Sequence, residues 1–254
     1  MSIARSALIA VLAAASWQAY ANGSGLPLYQ ASYSVAWGGV LAGRSETTLT
    51  RADNGDYEYR SVTHTAGLVS LFSSKTITED SCFELGNDGP RSLQYRYVDT
   101  DGDDKQTEEI QFDWNKNSAD TREKGKQHTT DLTPGIADRF LSQLSVSLDA
   151  AAGKVPAAYR ILDLGEIVSY VTRSKPKASL KTDAGEFQDL TVVELYNEAS
   201  HRILRFWLAP QMHYLPVKIE QTDPHKTLTL VLTAISFNPT PAPPAASATS
   251  APQT

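Results

Sequence analysis

The chain has 254 residues, a formal net charge of −6 at neutral pH, and a single cysteine, Cys82. Its 23 basic residues are scattered singly among 29 acidic ones, which leaves no clustered cationic surface for a nucleic-acid backbone. One cysteine excludes an intramolecular disulfide, so stability rests on packing.

Arg5, the apolar run from Ala7 to Ala15 and the small-x-small sequence Ala19-Tyr20-Ala21 predict a secretory signal over residues 1–21. Export to the periplasm is the expectation. No cysteine follows the cleavage point, so a lipoprotein anchor is not indicated, and no later segment approaches the roughly 18 apolar residues of a spanning helix. Residues 22–237 are then expected to form a single domain.

The next segment alternates strictly: Tyr29, Ala31, Tyr33, Val35 and Trp37 against Gln30, Ser32 and Ser34. That is a half-buried strand. Gly38-Gly39 turns it, residues 40–51 run back with Gly43 as a bulge or close backbone approach, and Asp53-Asn54-Gly55-Asp56 is a strong hairpin signal leading to a strand over 57–65. The apolar run Leu68, Val69, Leu71, Phe72 breaks the alternation. Buried, it plugs one end of the sheet; exposed, it is an interaction patch, and the plug is the default for a soluble domain.

Strands are predicted over 74–85, 93–100 and 108–114, the last with Ile110, Phe112 and Trp114 opposite Glu109, Gln111 and Asp113. The acidic run Asp99–Asp104 lacks the downstream glutamate of a calcium loop and is read as a hairpin tip. Residues 133–149 are predicted as the one helix: Ile136, Phe140, Leu141, Leu144 and Leu148 share a side, Thr133 caps, Pro134 suits the first turn and Gly153 follows the end. Further strands are expected over 158–164, 167–172, 187–196 and 201–208, then a final hairpin of Leu215, Val217, Ile219 and Leu228, Leu230, Leu232 through Asp223-Pro224-His225. Residues 238–254, rich in Pro, Ala, Ser and Thr, are expected to be a disordered tail.

Many strands without intervening helices predict a mostly β fold, an antiparallel meander that twists into a barrel or half-barrel around one packed α-helix. Tyr33, Trp37, Phe112, Trp114, Phe140 and Trp207 are placed in the interior, with Leu141 and Leu144 of the helix. Aromatic side chains of this size fill a small barrel by default, or wall a ligand pocket if the helix leaves room.

Three motifs resemble an exported bacterial family known as domain of unknown function 3108. They are the run from Tyr33 through Trp37-Gly38-Gly39-Val40 to Gly43, the helix start Pro134-Gly135-Ile136-Ala137-Asp138-Arg139, and the run from Trp207 through Pro210, Tyr214 and Pro216 to Glu220. The resemblance implies an exported, mostly β domain of Gram-negative bacteria and carries no activity. By architecture alone the pattern is also similar to periplasmic lipoprotein carriers of the LolA and LolB kind, whose half-barrels close over acyl chains.

His64, His128, His201, His213 and His225 lie at no metal-ligand spacing, and no Gly-x-Ser-x-Gly, His-Glu-x-x-His or phosphate-binding glycine loop occurs. No catalytic residue, metal ligand or cofactor is assigned. Glu108 and Glu109 point to opposite faces of a strand and read as solvated edge positions, and Asp138-Arg139 reads as a cap or ion pair at the helix start. The expected role is noncatalytic binding of a hydrophobic or acylated envelope component. The alternatives are a protein-assembly module of the cell envelope, using Leu68–Phe72 or an open sheet edge, and a glycan-acting enzyme built on carboxylates from distant strands.

Overall fold

The computed structural model describes residues 25–67, 74–86, 88–101, 104–224 and 226–239. The expected signal segment, the patch Leu68, Val69, Leu71 and Phe72, and the tail from residue 240 onward lie outside these.

Among the described residues sixteen strands form one sheet. The first run is β1 (Tyr29–Trp37), β2 (Val40–Arg51), β3 (Tyr57–Thr65), β4 (Thr76–Gly86), β5 (Gly89–Asp101), β6 (Asp104–Asp113), β7 (Ser118–Glu123) and β8 (Lys126–Asp131), each paired antiparallel with the next. After the short β9 (Ile136–Asp138) and the helix α1 (Leu141–Ala152) come β10 (Ala158–Asp163), β11 (Glu166–Ser174), β12 (Ala178–Thr182), β13 (Gly185–Tyr196), β14 (Ile203–Ala209), β15 (Leu215–Asp223) and β16 (Lys226–Phe237). The sheet path runs from β8 back to β1, across to β16, and on through β15, β14, β13, β11 and β10 to β9. Among the described residues only β9 with β10 is parallel.

The path does not close by a ladder between β8 and β9. Side chains span that seam: the Thr130 hydroxyl of β8 donates to the Gly165 carbonyl at 2.6 Å, and the Leu164 amide donates to Oε1 of Glu108 at 2.8 Å. The result is a rolled sheet with α1 inside it. Among the described residues no helix is long and apolar enough to cross a membrane.

The helix begins later than its periodicity suggests. Thr133 does not cap it; its hydroxyl accepts from Arg160 at 2.7 Å, and Ile136–Asp138 leave the expected helical turn to pair with Arg160–Leu162. A ladder on an available strand edge outweighs a helical turn that has no preceding partners. The helix ends as expected, with Gly153 at φ 66° and its amide donating to the Ala150 carbonyl.

Leu141 and Leu144 pack with Tyr59, Phe140 and Leu162, while Val146 and Ala150 pack with Val193, Leu195, Phe206 and Leu208. The helix is therefore buried on two sides, against both halves of the sheet, where its sequence suggested one stripe.

Candidate functional site

The register of β1 to β6 aligns two inward rows. One runs Tyr29, Leu49, Tyr59, Ser81, Tyr95, Ile110 and is the floor of the core. The row above it runs Thr47, Ser61, Glu79, Tyr97, Glu108 and is polar throughout. Strand parity forces these positions inward with their apolar neighbours.

Asp138 fixes the helix beneath this row. Its Oδ1 accepts the Phe140 and Leu141 amides at 3.0 and 2.8 Å, and its Oδ2 accepts the Ser81 and Ser92 hydroxyls at 2.6 and 2.7 Å. It is fully buried, and burial pushes its carboxyl above the usual range while those four hydrogen bonds pull it back. The four donors are what make its burial tolerable.

Arg139 holds the polar row. Its Nε reaches Oε1 of Glu79 at 3.0 Å, and its Nη1 reaches Oδ1 of Asp163 at 3.0 Å and Oε2 of Glu108 at 3.6 Å. The guanidinium lies over the rings of Tyr97 and Tyr95 at 4.5 and 5.4 Å. Burial opposes its charge, but the surrounding acids more than offset this and raise its pKa above the ordinary value. Glu108 is not a solvated edge residue: it is 1% exposed, because it shares the inward parity of Ile110. Glu109 does face out, toward Arg96 at 3.3 Å.

Beside this row, between β1–β4 and β14–β16, is a cavity of about 440 Å³. One wall is apolar: Val35, Phe206, Ile219, Leu228 and Leu230. The facing wall carries the hydroxyls of Ser45, Thr47, Ser61 and Thr63. Phe140, stacked on Tyr59 at 4.1 Å between ring centroids, and Gln143 close its inner end, and Trp37, Thr65 and Lys75 stand among its lining from the β1–β2 and β3–β4 ends. A second cavity of about 320 Å³, lined by Tyr97, Arg139, Asp163, Tyr170 and Arg202, shares Ile77, Glu79, Gln143, Leu204 and Gln221 with the first. An apolar compartment thus adjoins a charged one across these shared residues. Among the described residues the two arginines of the charged one are both engaged: Arg139 is paired as above and Arg202 holds Asp223 at 2.6 Å.

Of the residues expected in the interior, Tyr33, Trp37 and Phe140 line the larger cavity. Leu141 is fully buried in the core, and Leu144 borders a separate void of about 20 Å³. Phe112 and Trp114 stack together, with the Trp114 indole donating to the Ser92 carbonyl at 2.7 Å, and line neither cavity. Trp207 departs from the expectation. Phe206 takes the inward position on β14, so Trp207 lies on the opposite face, partly buried against the core cluster, with Arg205 and Lys218 over its ring at 5.7 and 4.5 Å.

The sequence profile of the family described as protein of unknown function, DUF3108, matches residues 32–233. The chain belongs to this family. A search of curated proteins finds no match. Among solved structures, the family member resembles a β-barrel-like protein of domain of unknown function DUF1849 from Brucella abortus, with a TM-score of 0.52 and 13% identity, over 84% of this chain and 99% of that one. That likeness is one of fold.

Ser45, Thr47, Ser61, Thr63, Glu79 and Gln143 are site residues that the sequence reading did not single out. The signal was there: the Asn-Gly turn pairs Arg51 with Tyr57, and counting by twos from Leu49 and Tyr59 puts all four hydroxyls on the inner face.

Proposed function

We propose that this protein is a noncatalytic periplasmic binder of a hydrophobic or acylated component of the cell envelope, which lays its apolar part in the larger cavity. The observation that carries the reading is that cavity of about 440 Å³, in the size range of small-molecule sites, where apolar side chains form a wall instead of a filling. An alkyl chain laid against it gains about 0.8 kcal/mol per buried methylene. The predicted signal over residues 1–21 supports the compartment.

Carboxylates do converge, as a glycan-acting enzyme would require, in Glu79, Glu108 and Asp163. All three are engaged by Arg139, which favours a structural clamp over an acid–base pair. The test is native mass spectrometry of protein purified from its own envelope, with uptake of a fluorescent acyl probe. Bound lipid and probe uptake are expected, and Leu230→Trp should reduce uptake by at least tenfold; an empty protein that takes up no probe overturns the reading.

A second reading, an assembly module, is favoured by the apolar tip of the β1–β2 hairpin, where Trp37, Val40 and Leu41 are 44%, 61% and 49% exposed. On that reading Leu41→Glu abolishes recovery of a defined membrane partner and leaves probe uptake intact.

A further inference from the structure

The hydroxyl wall contains an unequal count. Thr63 Oγ1 contacts Ser45 Oγ at 2.9 Å, Ser45 Oγ contacts Ser61 Oγ at 2.9 Å, and Thr47 Oγ1 contacts Ser61 Oγ at 3.5 Å. Four hydroxyls bring four hydrogens, and three contacts use three. Whichever way the rotors turn, one hydrogen is left without an acceptor among the described residues, and with Thr63 and Thr47 donating inward it belongs to Ser45 or Ser61. Ser45 is 1% exposed and Ser61 8%, and both line the cavity. A buried donor without an acceptor is costly, and its surroundings across the cavity are apolar.

Placement narrows what would meet it. Ser61 pairs directly with Glu79 across β3–β4, about 5 Å away, and Glu79 lines both cavities. The donor therefore sits where the apolar compartment ends and the charged one starts. Gln143 lines both cavities at the same junction.

We propose that the ligand carries a carbonyl group at the head of its apolar chain, as an acyl ester or acyl amide does, and that the carbonyl oxygen accepts the spare hydrogen of the Ser45–Ser61 pair. The chain lies against Val35, Phe206, Leu228 and Leu230, and the polar remainder faces Gln143 and the second cavity. This inference rests on the proposed binding of an apolar chain in the larger cavity and adds the chemistry of the linkage.

The experiment compares methyl dodecanoate with methyl dodecyl ether, matched in length and differing in the carbonyl, as competitors for a fluorescent acyl probe on the full chain. The ester is expected to bind about tenfold more tightly, the worth of one buried hydrogen bond. In the variant Ser45→Ala, Thr47→Val, Ser61→Ala, Thr63→Val, which removes every partner at once and so leaves none stranded, the preference should fall to about one while the ether still binds. A carbon-13 carbonyl label reports independently on the native protein: the infrared carbonyl band of the bound ester should lie below its position in alkane, and no lowering overturns the proposal even if the variant fails to fold. Equal affinity of ester and ether, or a preference that survives in the variant, overturns the carbonyl assignment and leaves the proposed function standing. Failure of both competitors, and of the probe itself, overturns both.

Discussion

Ser92 and Asp138 hold one another twice: the Ser92 hydroxyl donates to Oδ2 of Asp138 at 2.7 Å and accepts the Asp138 amide at 3.0 Å. The two residues belong to β5 and β9, which share no ladder. This reciprocal pair, with Ser81, ties the start of α1 to the far side of the rolled sheet.

Asp138→Ala is therefore expected to cost about 3 kcal/mol, combining a lost helix cap with two stranded hydroxyls. Asp138→Asn keeps an acceptor for the Phe140 and Leu141 amides, and its amide can donate to serine oxygens that turn to accept. It should cost about 1 kcal/mol. Urea unfolding checks both, and equal losses would show that asparagine recovers neither the cap nor the serine bonds.

Removing the guanidinium in Arg139→Met leaves Glu79, Asp163 and Glu108 facing one another. The expected loss is about 3 kcal/mol, as for breaking a buried ion pair from one side. Arg139→Lys should recover only part of this, because an ammonium cannot span the positions that Nε and Nη1 occupy. The measurement is again the urea midpoint.

Glu108 makes stability depend on pH. Burial raises its carboxyl above the usual range, against the pull of Arg139 and the Leu164 amide, and its Oε2 has no hydrogen-bond partner among the described residues. A raised native pKa means the folded protein takes up the proton first. The contribution is thus full below the ordinary carboxylate pKa and is lost as pH rises through the native one. Glu108→Gln is neutral at every pH, so native protein should gain stability relative to the variant as pH falls from 8 toward 4. A constant difference between their unfolding midpoints across that range would refute this.

Trp37 lines the larger cavity, is 44% exposed and has the Lys226 ammonium 5.5 Å from its ring centroid. Occupation of the cavity should blue-shift tryptophan emission and reduce acrylamide quenching, and Trp37→Phe should abolish most of the change. A full response in Trp37→Phe would mean that the probe binds elsewhere.

Much of the wall was legible from alternation and turn chemistry. Tyr29 to Trp37 and the Asn54-Gly55 turn fix faces and register, and Gly43 was marked for a close approach: a Cβ there would lie 2.5 Å from the His64 carbonyl oxygen. What stayed hidden depends on pairings remote in sequence. The run from Ile136 to Asp138 carries helical spacing and becomes a strand because Arg160–Leu162 offers an edge. Trp207 and Phe206 compete for one inward position, and the pairing of Val193 with Phe206 settles it. Glu108 looked solvent-facing by chemistry while parity placed it inside, and Arg139, thirty-one residues on, together with the Leu164 amide, makes that placement intelligible.

The strands from β1 to β8 each pair with the next, and the ladder that joins this run to the remainder is β1 with β16. A polypeptide delivered from its amino terminus consequently presents Tyr29–Trp37 with one bare flank until nearly all of the domain has followed. Such an edge invites pairing with foreign chains. Consolidation has to wait for the last strand, because β1 keeps that open flank until β16 arrives.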